Sequence, residues 1–310
     1  MKAWRLLAAG EPIQLVDIED PVAGPGEIVL DVKAAGLCHT DYAYADGTLT
    51  HALAKIPITL GHEFAGVITQ IGSGVTGFEI GQRVGVPTAE GGPGQTTDGG
   101  FAEKAKVGAQ WVLPLPDGIS WQQAAPATCG GMTAYHSLAI GGVTEGTKVG
   151  IIGAGGLGTI AVQIAVGLGA EVYVAEIRES TWDVVQSYGA KAVAKDIAEF
   201  SDEELPVIVD YAGFGTTTDG AIASVGRRGT VVQVGLGRAR ADISTQQLVF
   251  KDVSLIGSAV GSHEDCTKVM QLLADGKIAW SVTEIGLDDI RDGLERLHQG
   301  GVVGRQVALL

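Results

Sequence analysis

Lys148-Val149-Gly150-Ile151-Ile152-Gly153-Ala154-Gly155-Gly156-Leu157-Gly158 reads as an apolar run that breaks into glycines and then opens a helical stretch extending to Leu168. That order, strand then G-x-G-x-x-G then helix, is the context a dinucleotide-binding fingerprint requires. Gly153 permits the tight turn, Gly155 lets a pyrophosphate approach the backbone, and Gly158 lets the helix pack on the sheet, with Gly156 and Leu157 at the helix start. The N-terminus of that helix offers amide donors and partial positive charge to the phosphates. In a chain with 47 glycines the motif could arise by chance, so its surroundings decide its meaning.

Those surroundings repeat the same alternation. Val172-Tyr173-Val174-Ala175, Val207-Ile208-Val209-Asp210, Thr230-Val231-Val232-Gln233-Val234 and Ser254-Leu255-Ile256-Gly257 are short apolar runs separated by helical stretches, which implies a doubly wound parallel sheet over residues 131–260. Glu176 ends the strand after the fingerprint, where an acid accepts hydrogen bonds from the adenosine ribose and repels a 2′-phosphate. NAD is therefore expected over NADP. Arg178 counts the other way if it turns inward toward a phosphate and is neutral if it faces solvent.

Upstream, residues 1–130 carry short β segments such as Glu27–Val32, Val67–Ile71 and Gln82–Val86, punctuated by turns like Gly24-Pro25-Gly26. This pattern predicts an irregular, largely antiparallel unit. It also carries Cys38, His62 and Cys129, two thiolates and an imidazole that can hold Zn²⁺ with one position left for water, for Glu63 or for a substrate oxygen. An open zinc beside a nicotinamide suits alcohol oxidation or carbonyl reduction. After residue 261 the sequence predicts a Leu- and Met-bearing helix around Val269–Leu273, another near Asp288–Leu297, and a terminal strand.

The chain resembles the zinc-dependent medium-chain alcohol dehydrogenases nearly end to end. The residues that carry the likeness are GLCHTD (36–41), GHEFAGVI (61–68), GQRVGV (81–86), DGGFAE (98–103), PATCGGMTAYHSL (126–138), IIGAGGLG (151–158) and Gly304-Arg305. The resemblance implies a GroES-like catalytic domain from 1–130 and 261–310 around a Rossmann-type domain at 131–260. It implies that Thr40 takes the alcohol proton, that His39 and Arg305 meet the pyrophosphate, and that Val234, Leu236, Ser258 and Val260 wall the nicotinamide. Two departures stand out. Ala43 occupies the position where many members have a relay histidine, and residues 87–100 contain no cysteine, so the four-cysteine lobe for a second zinc is missing. One zinc per chain is expected. With part of the usual pocket wall gone, Phe101, Thr88 and Trp111 become pocket candidates, Trp111 also suiting a core.

At 310 residues, 45% hydrophobic and 18% charged, the composition fits two packed domains. A net charge of −15 argues against nucleic acids and anionic membranes as partners, leaving a small-molecule alcohol or carbonyl compound. Three cysteines, with Cys266 outside the metal motifs, argue against a disulfide framework and for a reducing, cytoplasmic setting. A homodimer or homotetramer is expected. A zinc-free quinone or enone reductase and a non-catalytic dinucleotide-binding protein are the alternatives, and the intact trio with Thr40 argues against both.

Overall fold

Two compact units make up the computed structural model, which describes Met1–Leu310. The first comprises Met1–Cys129, Cys266–Ala274 and Trp280–Leu310, and the second comprises Gly130–Asp265 and Asp275–Ala279.

In the first unit the chain runs through β1 (Lys2–Leu6), β2 (Gln14–Asp17), β3 (Glu27–Gly36), β4 (Ile58–Thr59), β5 (Phe64–Ile71), β6 (Arg83–Val86), β7 (Lys104–Gly108) and β8 (Leu113–Pro114). Helix α1 (His39–Ala45) follows β3, and α2 (Trp121–Pro126) follows β8. The second unit contains α3 (Met132–Ile140), β9 (Lys148–Ile152), α4 (Gly156–Gly167), β10 (Glu171–Ala175), α5 (Trp182–Ser187), β11 (Ala192–Ala194), β12 (Val207–Asp210), α6 (Thr216–Ser224), β13 (Thr230–Gln233), α7 (Thr245–Lys251) and β14 (Ser254–Gly257). Helix α8 (His263–Ala274) belongs from Cys266 onward to the first unit, which ends with β15 (Val282–Gly286), α9 (Ile290–His298) and β16 (Arg305–Leu309).

The first unit's larger sheet has the order β15-β16-β3-β5-β6-β8, with β7 also paired to β3. Its register explains where the functional residues meet. Antiparallel pairing sets Ala35 of β3 opposite Phe64 of β5, and Gly36 opposite Val307 of β16. The end of β3, the start of β5 and the start of β16 therefore lie side by side, tied by Gly36 N–H to Glu63 O (2.8 Å) and Leu37 N–H to Gln306 O (3.0 Å). Residues at or just beyond those ends, Cys38, His62, Glu63 and Arg305, are delivered to one place. Strand β6 adds a fourth segment, since Val86 pairs with Phe64 and Thr88 N–H bonds Thr128 O at 2.8 Å. Below lies a core of Leu6, Ile28, Leu30, Phe64, Ile68, Phe101 and Leu294. Each such side chain, once removed from water, contributes about 1.5–3 kcal/mol.

The second unit is a parallel sheet of order β11-β10-β9-β12-β13-β14. Its strands read as continuous apolar runs because both faces are covered: Val149, Ile151, Val172, Val174, Ile208, Val209, Val231 and Val232 are all fully buried. Helix α4 is buried from Gly158 to Ala165 except at Gln163, which accounts for its nearly continuous apolar sequence. The strand order reverses between β9 and β12, the position at whose carboxyl end such sheets bind ligands. No helix is long and apolar enough to cross a membrane.

Candidate active site

Cys38, His62, Glu63 and Cys129 converge in the first unit, all buried, with one ligand atom from each lying within 4.8 Å of all the others. Cys38 stands in extended backbone (φ −120°, ψ 148°) directly ahead of α1. Cys129 sits in a π-helical turn, Ala127–Gly131, that continues α2. Pro126 ends α2 and has no N–H for the regular ladder, and wide turns of this kind are frequent at functional sites. The sulfur of Cys129 is 3.4 Å from His62 Nε2.

The other ring nitrogen of His62 is engaged. Its Nδ1–H donates to Asp41 Oδ1 at 2.9 Å, and the same oxygen accepts the Gly61 N–H at 3.1 Å. Asp41 is fully buried in the first turn of α1. This is the carboxylate behind a metal-binding histidine that fixes ring orientation and tautomer and leaves Nε2 for the ion. Sequence reasoning did not single out Asp41. The signal was there, a carboxylate on the same helix turn as a ligand cysteine, but its partner lies 21 residues away.

Glu63 lies flat on Gly36: a Cβ built on that glycine would fall 1.7 Å from Glu63 Oε1. Glu63 Oε2 accepts from the Arg305 guanidinium, whereas Oε1 is buried with no hydrogen-bond partner. Arg305 is itself 3% exposed. Because β16 pairs with β3, its first residue reaches the metal cluster, where one guanidinium nitrogen is spent on Glu63 while Arg305 Nε is buried with no hydrogen-bond partner.

Electrostatics favour a cation at this point. A hydrogen bond from Cys129, aided by His62 and Arg305 and opposed by burial, holds the Cys38 thiol well below its ordinary range. The proton shared with Cys38, burial and the neighbouring negative charge push Cys129 well above it. Burial works against a charged His62, yet Asp41 and Cys38 raise it well above the usual imidazole value. Burial drives Glu63 up to about 7 against the pull of Arg305. A divalent cation held by both sulfurs would release the proton they share. Two sulfurs, one imidazole and an orphaned carboxylate oxygen fit zinc, whose preferred donors are of these kinds.

Of the remaining expectations in this unit, Thr40 is half-buried in the first turn of α1, His39 is exposed beside it, and Ala43 is half-buried one turn on. Phe101 is not a pocket residue. It is fully buried, and its ring fills the space left beside Gly61, where a Cβ would lie 2.5 Å from it. Trp111 packs against the same core, and Thr88 is half-buried and tied to Thr128.

In the second unit, Gly153 takes the left-handed conformation (φ +88°) at the carboxyl end of β9. A Cβ on Gly158 would meet Gly153 O at 1.8 Å, so the first and last glycines of the motif need each other. Glu176 is buried, with Oε2 accepting from Ala154 N–H (2.7 Å) and Oε1 from Arg178 N–H (2.8 Å). Arg178 turns inward, its Nε 3.2 Å from Glu176 Oε1. Val234 and exposed Leu236 follow β13, and Ser258 and Val260 follow the adjacent β14. Ser258 Oγ is buried without a partner. Val260 has φ +48°, a costly conformation for a β-branched residue that tends to occur at functional sites. Asp210, also not foreseen, anchors the end of β12 by accepting from Ala212 N–H (2.9 Å), Gly213 N–H (2.8 Å) and the hydroxyls of Thr217 and Thr218.

Comparison with known proteins matches residues 24–117 to the alcohol dehydrogenase GroES-like domain and residues 156–275 to the zinc-binding dehydrogenase family. An alcohol dehydrogenase of Geobacillus stearothermophilus is 32% identical, over 99% of both chains. The chain belongs to the zinc-type medium-chain dehydrogenase/reductase family. A further member, the NAD-dependent alcohol dehydrogenase of Sulfolobus acidocaldarius, is 29% identical over 99% of each chain. The crystal structure of the alcohol dehydrogenase of Aeropyrum pernix superposes with a TM-score of 0.91 at 31% identity and full coverage of both chains. This medium-chain dehydrogenase/reductase is thus an oxidoreductase that interconverts alcohols and carbonyl compounds, of a family that works with zinc and a nicotinamide cofactor.

Proposed function

We propose that the chain carries one zinc, held by Cys38, His62 and Cys129 with Glu63 or water as the fourth donor, and that it oxidises small or medium alcohols or reduces the matching ketones and aldehydes. The observation that carries this reading is the buried four-residue cluster, with Asp41 behind His62 and Glu63 Oε1 unpartnered. The cysteine inventory supports a single ion, since Cys266 is the one thiol left over. When bound, the ion would polarise the reacting oxygen, and the nicotinamide would take or give hydride.

The chain's own residues have separable tasks. Cys38 and Cys129 bring negative charge into a dry site, and Asp41 holds the imidazole of His62 in one orientation. Thr40, two residues past the first ligand, supplies the hydroxyl that accepts the proton leaving a substrate alcohol. With Ala43 unable to titrate, that proton would pass on to water or to the ribose of a bound cofactor. In the second unit the amides at the start of α4 receive the pyrophosphate, with His39 as a further phosphate partner, and Glu176 favours NAD over NADP. Val234, Leu236, Ser258 and Val260 line the nicotinamide end. A homodimer or homotetramer is supported by β14, an edge strand of the sheet, near which Val249 and Phe250 are 73% and 67% exposed. Ligand thiols that must stay reduced support a cytoplasmic setting.

A panel of primary and secondary alcohols followed by NADH absorbance, with zinc measured on the same preparation, tests the reading. Turnover that scales with zinc up to one ion per chain is expected. Full turnover by zinc-free protein would instead favour a quinone or enone reductase.

A further inference from the structure

We infer that Thr128, assisted by Cys266, is a positioning residue for the metal site: its hydroxyl and carbonyl hold the wide turn that aims Cys129 at His62, and the Cys266 thiol holds the same turn from α8. The inference rests on the reading of Cys38, His62 and Cys129 as zinc ligands and deepens it. It also gives a task to the one cysteine outside that trio.

A π-helical turn departs from the regular backbone ladder, and the turn Ala127–Gly131 is supported from outside that ladder. Three carbonyls at or beside it accept from other donors. The Thr128 hydroxyl donates to Ala125 O at 2.7 Å, the Cys266 Sγ–H to Ala127 O at 3.7 Å, and the Thr88 N–H to Thr128 O at 2.8 Å. A threonine hydroxyl that reaches back three residues competes with the ladder and bends a helix. It does so here directly after Pro126, which has already removed one N–H. Ala127, Thr128 and Cys266 are all fully buried, so bulk water does not replace a donor that is deleted.

The methyl of Thr128 packs while its hydroxyl bonds. A Cβ built on Gly85 of β6 would lie 2.9 Å from Thr128 Cγ2, so that methyl rests over the bare Cα of the glycine. A continuous route then runs from one ligand to the next. His62 stands just ahead of β5, Phe64 of β5 pairs with Val86 of β6, Thr88 beyond β6 holds the Thr128 carbonyl, and Cys129 is the next residue. The Cys129 sulfur ends 3.4 Å from His62 Nε2. A thiol is a weak donor, so Cys266 has the smaller share and the Thr128 hydroxyl the larger.

Metal binding tests this without turnover. Zinc affinity is measured against a chelator, and cobalt(II) loaded in place of zinc is followed by its sulfur-to-metal charge-transfer band, which reports the thiolates. Thr128→Val keeps the branched shape and deletes the hydroxyl. It is expected to weaken zinc by about 10- to 100-fold, the scale for residues that orient a metal ligand, and to weaken the cobalt band. Thr128→Ser restores the hydroxyl and should return both toward wild type. Cys266→Ala should give a smaller loss in the same direction, and Cys266→Ser should recover it. NADH binding, measured on each variant, should be unchanged and reports that the chain is folded. Wild-type zinc affinity and cobalt spectrum in Thr128→Val overturn the inference alone, as does a loss that Thr128→Ser fails to restore or that falls equally on NADH. Wild-type protein that binds cobalt without a sulfur band overturns the ligand reading itself.

Discussion

The metal cluster draws its four donors from residues spread between 38 and 129, whereas the fingerprint draws its turn from six consecutive residues at the start of one helix. The first exists only when β3, β5, β6 and β16 are in register, and all of its donors are buried. The second is set by local backbone geometry, a left-handed Gly153 against a Gly158 with no side chain. A site assembled by register should be sensitive to changes that look remote in sequence. One built from a turn should respond to changes within the turn and to little else.

The largest expected effect separates the two regions outright. His62→Ala removes a ligand and should abolish zinc binding, lowering kcat/KM by roughly three orders of magnitude or more, because polarisation of the reacting oxygen is worth several kcal/mol. NADH binding should persist in the same variant. Loss of nucleotide binding along with the zinc would show that the two sites are not built independently.

Next in size is Thr40→Ala, which should lower kcat by about 10²- to 10⁴-fold through loss of acid-base assistance with zinc content unchanged. Thr40→Ser should retain most of the rate. Wild-type turnover by the alanine variant, with an isotope effect showing hydride transfer to be rate-limiting, would remove Thr40 from the mechanism.

Asp41→Asn tests the support behind the metal. It keeps the shape but lacks the negative charge behind His62, and zinc affinity measured against a chelator should fall by about 10- to 100-fold.

The smallest effects come from two glycines and sharpen the contrast most. Gly36→Ala would set a Cβ 1.7 Å from Glu63 Oε1, and Gly158→Ala one 1.8 Å from Gly153 O. Each should destabilise its own unit by about 1–3 kcal/mol, the usual penalty for overpacking. Thermal unfolding with ligand titrations should show Gly36→Ala weakening zinc but not NADH, and Gly158→Ala the reverse.

The same contrast explains what could be read in advance. The strand, glycine turn and helix of residues 148–167 are local, and their periodicity and punctuation were sufficient. The ligand trio was legible because Cys, His and Cys in that order have few other uses together. What escaped depended on register or rotamer. Asp41 gains its meaning from Gly61 and His62, which the fold brings to it. The contact of Arg305 with Glu63 is reached only through the pairing of β16 with β3. Phe101 looked like a pocket residue until the bare Cα of Gly61 was seen to receive its ring. Arg178 allows two readings in sequence, and its rotamer, turned onto Glu176, is not encoded locally.

Zinc-edge X-ray absorption on the purified protein, combined with elemental analysis, measures the central claim directly. One zinc per chain with two sulfur neighbours at about 2.3 Å and two nitrogen or oxygen neighbours at about 2.0–2.2 Å is the predicted result. A spectrum without sulfur, or active protein holding no zinc, would contradict it.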